Sequence, residues 1–266
     1  MLNNIIENDV TETHLIDNNF IANNTITLNY EFSNKYCKNV NYRKKINKYK
    51  KEFNFILDVN PGDNDIKNGN ILEFADIVDL EGCKLLQAIN KLGSLYKLNL
   101  SGCKNILDVS MLGNIQVLNL SFTNVSDISA LSNVYCLNIS CCEFIHDVSG
   151  LNSIIELDAS YCNNISDLSK LTTLEYLNID YCKKISDVSM LTNLYELNAS
   201  GFEVKDIGNL RNLQILRTNN EKIYGIHLLK NLKQIEFLNI ETCRKISQMK
   251  KLKLINNNVE IYYGRD

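Results

Sequence analysis

Residues 174–193, LEYLNIDYCKKISDVSMLTN, carry apolar side chains at their positions 1, 4, 6, 9, 12, 15 and 18: Leu174, Leu177, Ile179, Cys182, Ile185, Val188 and Leu191. The step from position 4 to position 6 has the period of a strand. The later steps of three suit a tight turn or a single 3₁₀ coil. A lone unit of this kind has one apolar edge and nothing to bury it against, so it needs copies of itself.

The copies run in register from Ala75, with further starts at Leu95, Ile115, Val134, Ile154, Leu174, Leu194, Leu213 and Ile235. The steps between starts are 20, 20, 19, 20, 20, 20, 19 and 22 residues. Position 6 is Leu80, Leu100, Leu120, Ile139, Ala159, Ile179, Ala199, Thr218 and Ile240, apolar in all but one. Where position 9 is Cys, the next apolar residue lies three on; where it is Thr123, Phe202 or Glu221, the gap is two. Length changes therefore sit in the turn after the strand, and the strand register survives them. The 22-residue step reads as an extra turn at Leu228, Leu229 and Leu232, and residues 259–263 read as a closing strand with Val259 and Ile261 at positions 4 and 6.

The pattern L-x-x-L-x-L-x-x-C/T resembles the leucine-rich-repeat family, whose framework is L-x-x-L-x-L-x-x-N/C-x-L. SDISAL (126–131) and SDVSML (186–191) resemble the internalin-like subclass, shortened by about one turn per repeat, and similar short cysteine-bearing repeats occur in viral and protist leucine-rich-repeat proteins. The likeness covers about 190 of the 266 residues. It implies an α/β-type leucine-rich-repeat solenoid: a parallel β-sheet on one face, short turns and 3₁₀ segments on the other, and slight curvature. No asparagine stands at position 9, where the family's amide ladder bonds loop backbone. Cys and Thr are weaker donors there, which predicts looser loops.

Residues 1–74 form the expected N-terminal segment and 75–266 the solenoid of nine repeats with its C-terminal capping strand. Residues 1 to about 30 are Asn-rich and without clear period, which predicts poor order or loose packing. Over 32–53, Phe32, Tyr36, Val40, Ile46, Tyr49 and Phe53 fall near helical spacing, opposite a lysine-rich face. FNFILDV (53–59) reads as a strand ended by Asn60-Pro61-Gly62, and together helix and strand should cap the solenoid. The basic helix over 35–53 is a candidate contact for nucleic acid, weighed against a plain solvated face. Residues 28–40, LNYEFSNKYCKNV, faintly resemble the last helix of an F-box, which would make the chain a substrate receptor of a ubiquitin ligase.

Net charge is −3, which gives no global push towards nucleic acid or anionic membrane. No run approaches the ~18 apolar residues of a membrane span, and the first residues carry acids where a signal peptide needs bases. Of nine cysteines, Cys83, Cys103, Cys142, Cys162, Cys182 and Cys243 share position 9, where a small buried hydrophobe fits. Asn-x-Ser sequons recur on the strands at Asn99, Asn119, Asn138 and Asn198, where glycans would cover the sheet. Both features point to an intracellular protein, cytoplasmic or nuclear, with reduced thiols.

Positions 3, 5 and 7 of each strand face away from the core. Nine strands at ~4.8 Å make a face roughly 40 Å long, a length that suits a protein or peptide better than a metabolite. Repeats four to seven bring tyrosines and acids to positions 2, 3, 5, 7 and 8. The candidate partner-binding residues are Tyr135, Asn138, Glu156, Asp158, Tyr161, Glu175, Tyr176, Asn178, Asp180, Tyr181, Tyr195, Glu196 and Asn198. Tyrosine offers large contact area with few rotatable bonds, and the acids favour a basic segment. The competing reading is that polar ladders and tyrosines merely solubilise and stiffen the sheet.

The aspartates Asp108, Asp127, Asp147, Asp167, Asp187 and Asp206 read as turn caps, not metal ligands. No nucleophile, base or phosphate loop stands at a recognisable spacing: His14, His146 and His227 are far apart in the repeat frame. The expectation is a monomeric, non-catalytic protein-interaction module without metal or cofactor.

Overall fold

The computed structural model describes residues 20–22, 25–28, 41, 44, 54–59, 76–83, 89, 92–201, 206–220, 223–237 and 259–263. Its strands are β1 (Phe20–Ala22), β2 (Thr25–Leu28), β3 (Asn54–Val59), β4 (Ile77–Asp79), β5 (Lys97–Asn99), β6 (Val117–Asn119) and β7 (Cys136–Asn138). There follow β8 (Glu156–Asp158), β9 (Tyr176–Asn178), β10 (Glu196–Asn198), β11 (Ile215–Thr218), β12 (Gln234–Phe237) and β13 (Glu260–Tyr263). All thirteen lie in one sheet in chain order. Every neighbouring pair is parallel except the β1–β2 hairpin. Parallel neighbours in sequence order, one coil of about 20 residues apart, make a solenoid.

The columns read from the sequence are the core. Val78, Leu98, Leu118, Leu137, Leu157, Leu177, Leu197 and Leu216 pair directly across β4 to β11. All eight are buried. So are the position-6 column from Leu80 to Ala199 and the turn-side columns Ile145–Val148–Leu151, Ile165–Leu168–Leu171 and Ile185–Val188–Leu191. The turn side is built of short turns, with 3₁₀ helices over Ser110–Leu112 and Ile226–Leu228.

Two expectations are corrected. Within residues 1 to about 30, expected to be poorly ordered or loosely packed, Phe20–Ala22 and Thr25–Leu28 form the antiparallel pair β1–β2, and β2 pairs with β3 through Ile26 and Phe55. Phe20, Ile21, Thr25, Ile26 and Thr27 are good strand formers, short enough to be lost among asparagines. The second correction is a slip of three residues at the ninth repeat. Leu216 pairs with Ile235, so Ile235 stands at position 4 and Leu232 at position 1. The step from Leu213 is then 19 residues, and Leu229 and Leu232 are ordinary column members, buried like the rest. Leu232-x-x-Ile235-x-Phe237 and Ile235-x-x-Leu238-x-Ile240 match one template equally, and only the frame without an extra turn keeps the coils stackable. The closing strand is displaced as well, by two residues in the other direction: Ile261 pairs with Ile235 at position 4 and Tyr263 with Phe237 at position 6, where Val259 and Ile261 were expected.

The strand expected at 53–59 is β3, which pairs with β4 across the expected domain boundary. The basic helix and the F-box-like stretch lie outside the described residues, save that Leu28 ends β2 and that Asn41 and Lys44 are helical and exposed. Cys243 also lies outside them.

The aspartate row caps turns as expected. Asp108, Asp127, Asp147, Asp167 and Asp187 each accept the backbone N–H of the serine two residues on, at 2.8–2.9 Å. Asp206 does the same for Gly208. The serine N–H and hydroxyl hold the first five carboxyls below the usual carboxylate range. A folded pKa below the unfolded one adds stability at higher pH and loses it as pH falls through the folded value. Thermal midpoints followed by circular dichroism should therefore stay level above about pH 5 and drop below about pH 4. Replacing Asp127, Asp147 and Asp167 together by Asn should flatten that acid limb, and an unchanged limb would contradict the assignment.

Candidate functional site

The exposed side of the sheet is a shallow trough with two lobes. A space of about 400 Å³ lies over β4 to β8, bordered by Lys97, Val117, Cys136, Glu156 and Asp158. A second, of about 410 Å³, lies over β8 to β10, bordered by Glu156, Asp158, Tyr176, Asn178, Glu196 and Asn198. The structure thus brings together seven of the thirteen candidate residues: these six and Asn138, which borders the first lobe.

The asparagines and aspartates of position 5 have a local task that spacing alone did not show. Asn99, Asn119, Asn138, Asp158 and Asn178 each accept the backbone N–H two residues on, at 2.8–3.1 Å. One oxygen of each side chain therefore ends its strand, and the remaining amide or carboxylate atoms face the trough. Asn198 breaks the series, because Asp180 takes the Ser200 N–H at 2.6 Å instead. Burial raises the Asp180 pKa.

Asn198 is freed for Arg217, a residue whose role the sequence reading missed. Arg217 stands at position 5 of β11, and its guanidinium meets Glu196, Asn198 (3.1 Å) and Glu236 (2.8 Å). The charge complement was hidden by the register slip, which left Glu236 outside column 5. The alternative frame starting at Leu232 places Glu236 beside Arg217, and that juxtaposition was the available signal.

Besides Asp180 at position 7, the remaining five candidates flank the trough in two groups. Tyr135, Glu175 and Tyr195 sit at position 2, before the strands, where Tyr195 tilts against Tyr176 with centroids 5.6 Å apart. Tyr161 and Tyr181 occupy position 8, in the turn after the strands, and stack at 4.8 Å. Position 8 adopts the left-handed conformation in seven successive repeats: Gly82, Gly102, Phe122, Cys141, Tyr161, Tyr181 and Gly201 have φ between 58° and 82°. The N–H of position 8 in the first six bonds to the next coil's position 7, as from Phe122 to Ser140 and from Tyr161 to Asp180. The inter-coil ladder imposes the conformation, and glycine is the residue that adopts it at least cost. Phe122 is 56% exposed there, so little packing offsets the strain. Phe122→Gly should raise the unfolding free energy by about 1 kcal/mol in urea titrations. A loss of stability would show that the ring has a structural task.

The cysteine column does more than fill space. The thiols of Cys103, Cys142, Cys162 and Cys182 donate to the position-6 carbonyls of the preceding coil, at 2.9–3.0 Å. They thus tie coil to coil in the amide ladder's place, so the looser loops expected from weaker donors have a compensating bond. Burial pushes the thiols of Cys162 and Cys182 up to about 12 and 11, which keeps them protonated donors. Cys136 and Cys141 are half-buried, and burial, then neighbouring groups including Glu156 and Asp158, raises both; neither is an activated nucleophile. Among the described residues no group of three or more His, Cys, Asp or Glu could hold a metal ion, and no helix is long and apolar enough to cross a membrane.

The solenoid is similar to internalin C2 of Listeria monocytogenes, with a TM-score of 0.51 and 26% identity over 64% of this chain and 83% of that one. The fold is that of a leucine-rich-repeat protein. Listeria monocytogenes internalin F matches with a TM-score of 0.46 and 20% identity, over 74% of this chain and 84% of that one. The functional domain of InlJ from the same species, which includes a cysteine ladder, matches at 0.41 and 14% over 79% and 56%. No protein-family model matches the chain, and no curated protein does so significantly. Leucine-rich-repeat solenoids are protein-interaction scaffolds that present an extended surface to their partners.

Proposed function

We propose that this leucine-rich-repeat chain is a non-catalytic interaction module that holds a basic protein or peptide segment on the sheet face over β7 to β10. The observation that carries the reading is the charge of that face. Positions 1–8 of the five coils starting at Ile115, Val134, Ile154, Leu174 and Leu194 contain no Lys or Arg, yet carry Glu156, Asp158, Glu175, Asp180 and Glu196. Tyr176 and Tyr195 stand beside these acids, and the trough gives them a concave setting. Acids around exposed aromatic rings favour a cationic partner.

Two features support a reducing intracellular setting. The coil-to-coil bonds of the cysteine column need free thiols. The sequon asparagines Asn99, Asn119 and Asn138 lie within the sheet, each bonded to its own backbone.

The test is affinity purification from the native cell with the parent chain and with Glu156→Lys/Asp158→Lys. Both side chains lie outside the core, but Asp158→Lys gives up the bond from the Ser160 N–H that ends β8, so the variant should lose a few degrees of thermal midpoint and still show the parent's far-UV circular dichroism. A basic partner recovered by the parent and lost by the variant supports the reading. An identical partner set for both overturns it.

A further inference from the structure

We propose that the lobe between β8 and β10 is a socket for an arginine side chain of the partner, an inference that rests on the sheet-face reading above and narrows it. The chain already contains one occupied version of such a socket. Arg217 projects from position 5 of β11 and is held by Glu196 at position 3 and Asn198 at position 5 of β10, with Glu236 at position 5 of β12 beyond.

Moving the same frame back by two strands, roughly 10 Å, superposes β9 on β11 and β8 on β10. Glu156 then takes the place of Glu196, and Asp158 that of Asn198, so the acceptor side gains a carboxylate. Asn178 takes the place of Arg217. Its side chain is short, and its oxygen is engaged by the Asp180 N–H at 3.1 Å. Where the guanidinium of Arg217 fills its own frame, this one holds the space of about 410 Å³. Tyr176 replaces Ile215 at position 3, which puts an aromatic ring, 38% exposed, on the wall. Guanidinium planes stack on such rings.

The intermediate frame does not repeat the arrangement. With β10 in place of β11, the acceptor strand is β9, which offers Tyr176 and Asn178 and no carboxylate at positions 3 and 5. The acidic frame is therefore local to β8 and β9. Two carboxylates two residues apart on the same strand face suit the planar fork of arginine, which can donate to both, better than the single ammonium of lysine.

The experiment compares acetyl-(Gly-Arg)₃-amide with acetyl-(Gly-Lys)₃-amide, titrated into the full chain by calorimetry at low ionic strength. The expected result is at least a fivefold preference for the arginine peptide. Glu156→Gln/Asp158→Asn should abolish that preference, and Glu143→Gln, an exposed acid beyond the strands, should leave it unchanged. Equal affinities, both weakened by the double variant, would overturn the socket while leaving an acidic docking face. Binding insensitive to the double variant, or no binding of either peptide, would overturn the socket and count against the acidic face as well.

Discussion

Leu157→Ala will lower the unfolding free energy by about 3–4 kcal/mol, within the span seen when buried leucines are truncated. Leu157 is 1% exposed at position 4 of β8, paired directly with Leu137 on one side and Leu177 on the other. A domain's whole stability is on the order of 5–15 kcal/mol, so this single cavity removes a large share of it. A solenoid is held by nearest-neighbour contacts, and a hole in a central coil weakens both interfaces that the coil shares. Urea denaturation followed by far-UV circular dichroism should show a lower midpoint and a broader transition. The control is Leu228→Ala, since Leu228 lies one residue outside the column and is 52% exposed. That substitution should cost under about 0.5 kcal/mol. Equal losses at the two leucines would mean that burial in the position-4 column is not what holds the coils.

The strength of these columns is also why the solenoid could be read from the residues. From Leu98 to Leu216 a period near 20 repeats with its shortenings confined to turns, and the strands fall where positions 3 to 5 place them. Legibility fails where two frames compete. Leu232, Ile235, Phe237, Leu238 and Ile240 satisfy the template twice, and local sequence does not choose between them; pairing with Leu216 does. The candidate site was legible as composition but not as geometry. Acids and tyrosines on the outward positions could be counted, whereas the division into trough and flanking rows depends on where the strand ends. That end is set by side chains such as Asn138 and Asp158 bonding their own backbone. The left-handed turn residue left a trace that was available and unused. Gly82, Gly102 and Gly201 share a column with Phe122, Cys141, Tyr161 and Tyr181, and three glycines in one column signal a backbone demand met elsewhere under strain.

The same logic yields the second large effect, at Gly225. Gly225→Ala will destabilise the chain by about 3 kcal/mol, from roughly 1–2 for the left-handed backbone and roughly 1–3 for crowding. Gly225 has φ of +81° at the start of the 3₁₀ turn Ile226–Leu228, whose Leu228 N–H bonds back to the Gly225 carbonyl at 2.8 Å. A Cβ there would lie 2.4 Å from the Gly208 nitrogen, 2.5 Å from Asp206 Oδ1 and 2.7 Å from the Gly208 Cα. Those atoms belong to the cap in which Asp206 accepts the Gly208 N–H at 2.8 Å, beside the Asp206–Tyr224 bridge between coils. The methyl would press on backbone and on the capping bond at once, and backbone cannot swing aside as a flexible side chain would. Gly82→Ala separates the two contributions. Gly82 has φ of +66° with nothing within 4 Å of its Cβ position, so it bears the strain without the clash and should lose only about 1 kcal/mol. Chemical denaturation of the two variants side by side checks the difference. Losses of similar size would show that the coils at Asp206 and Gly225 separate easily, and that their close approach is not needed to hold the C-terminal part of the sheet in register.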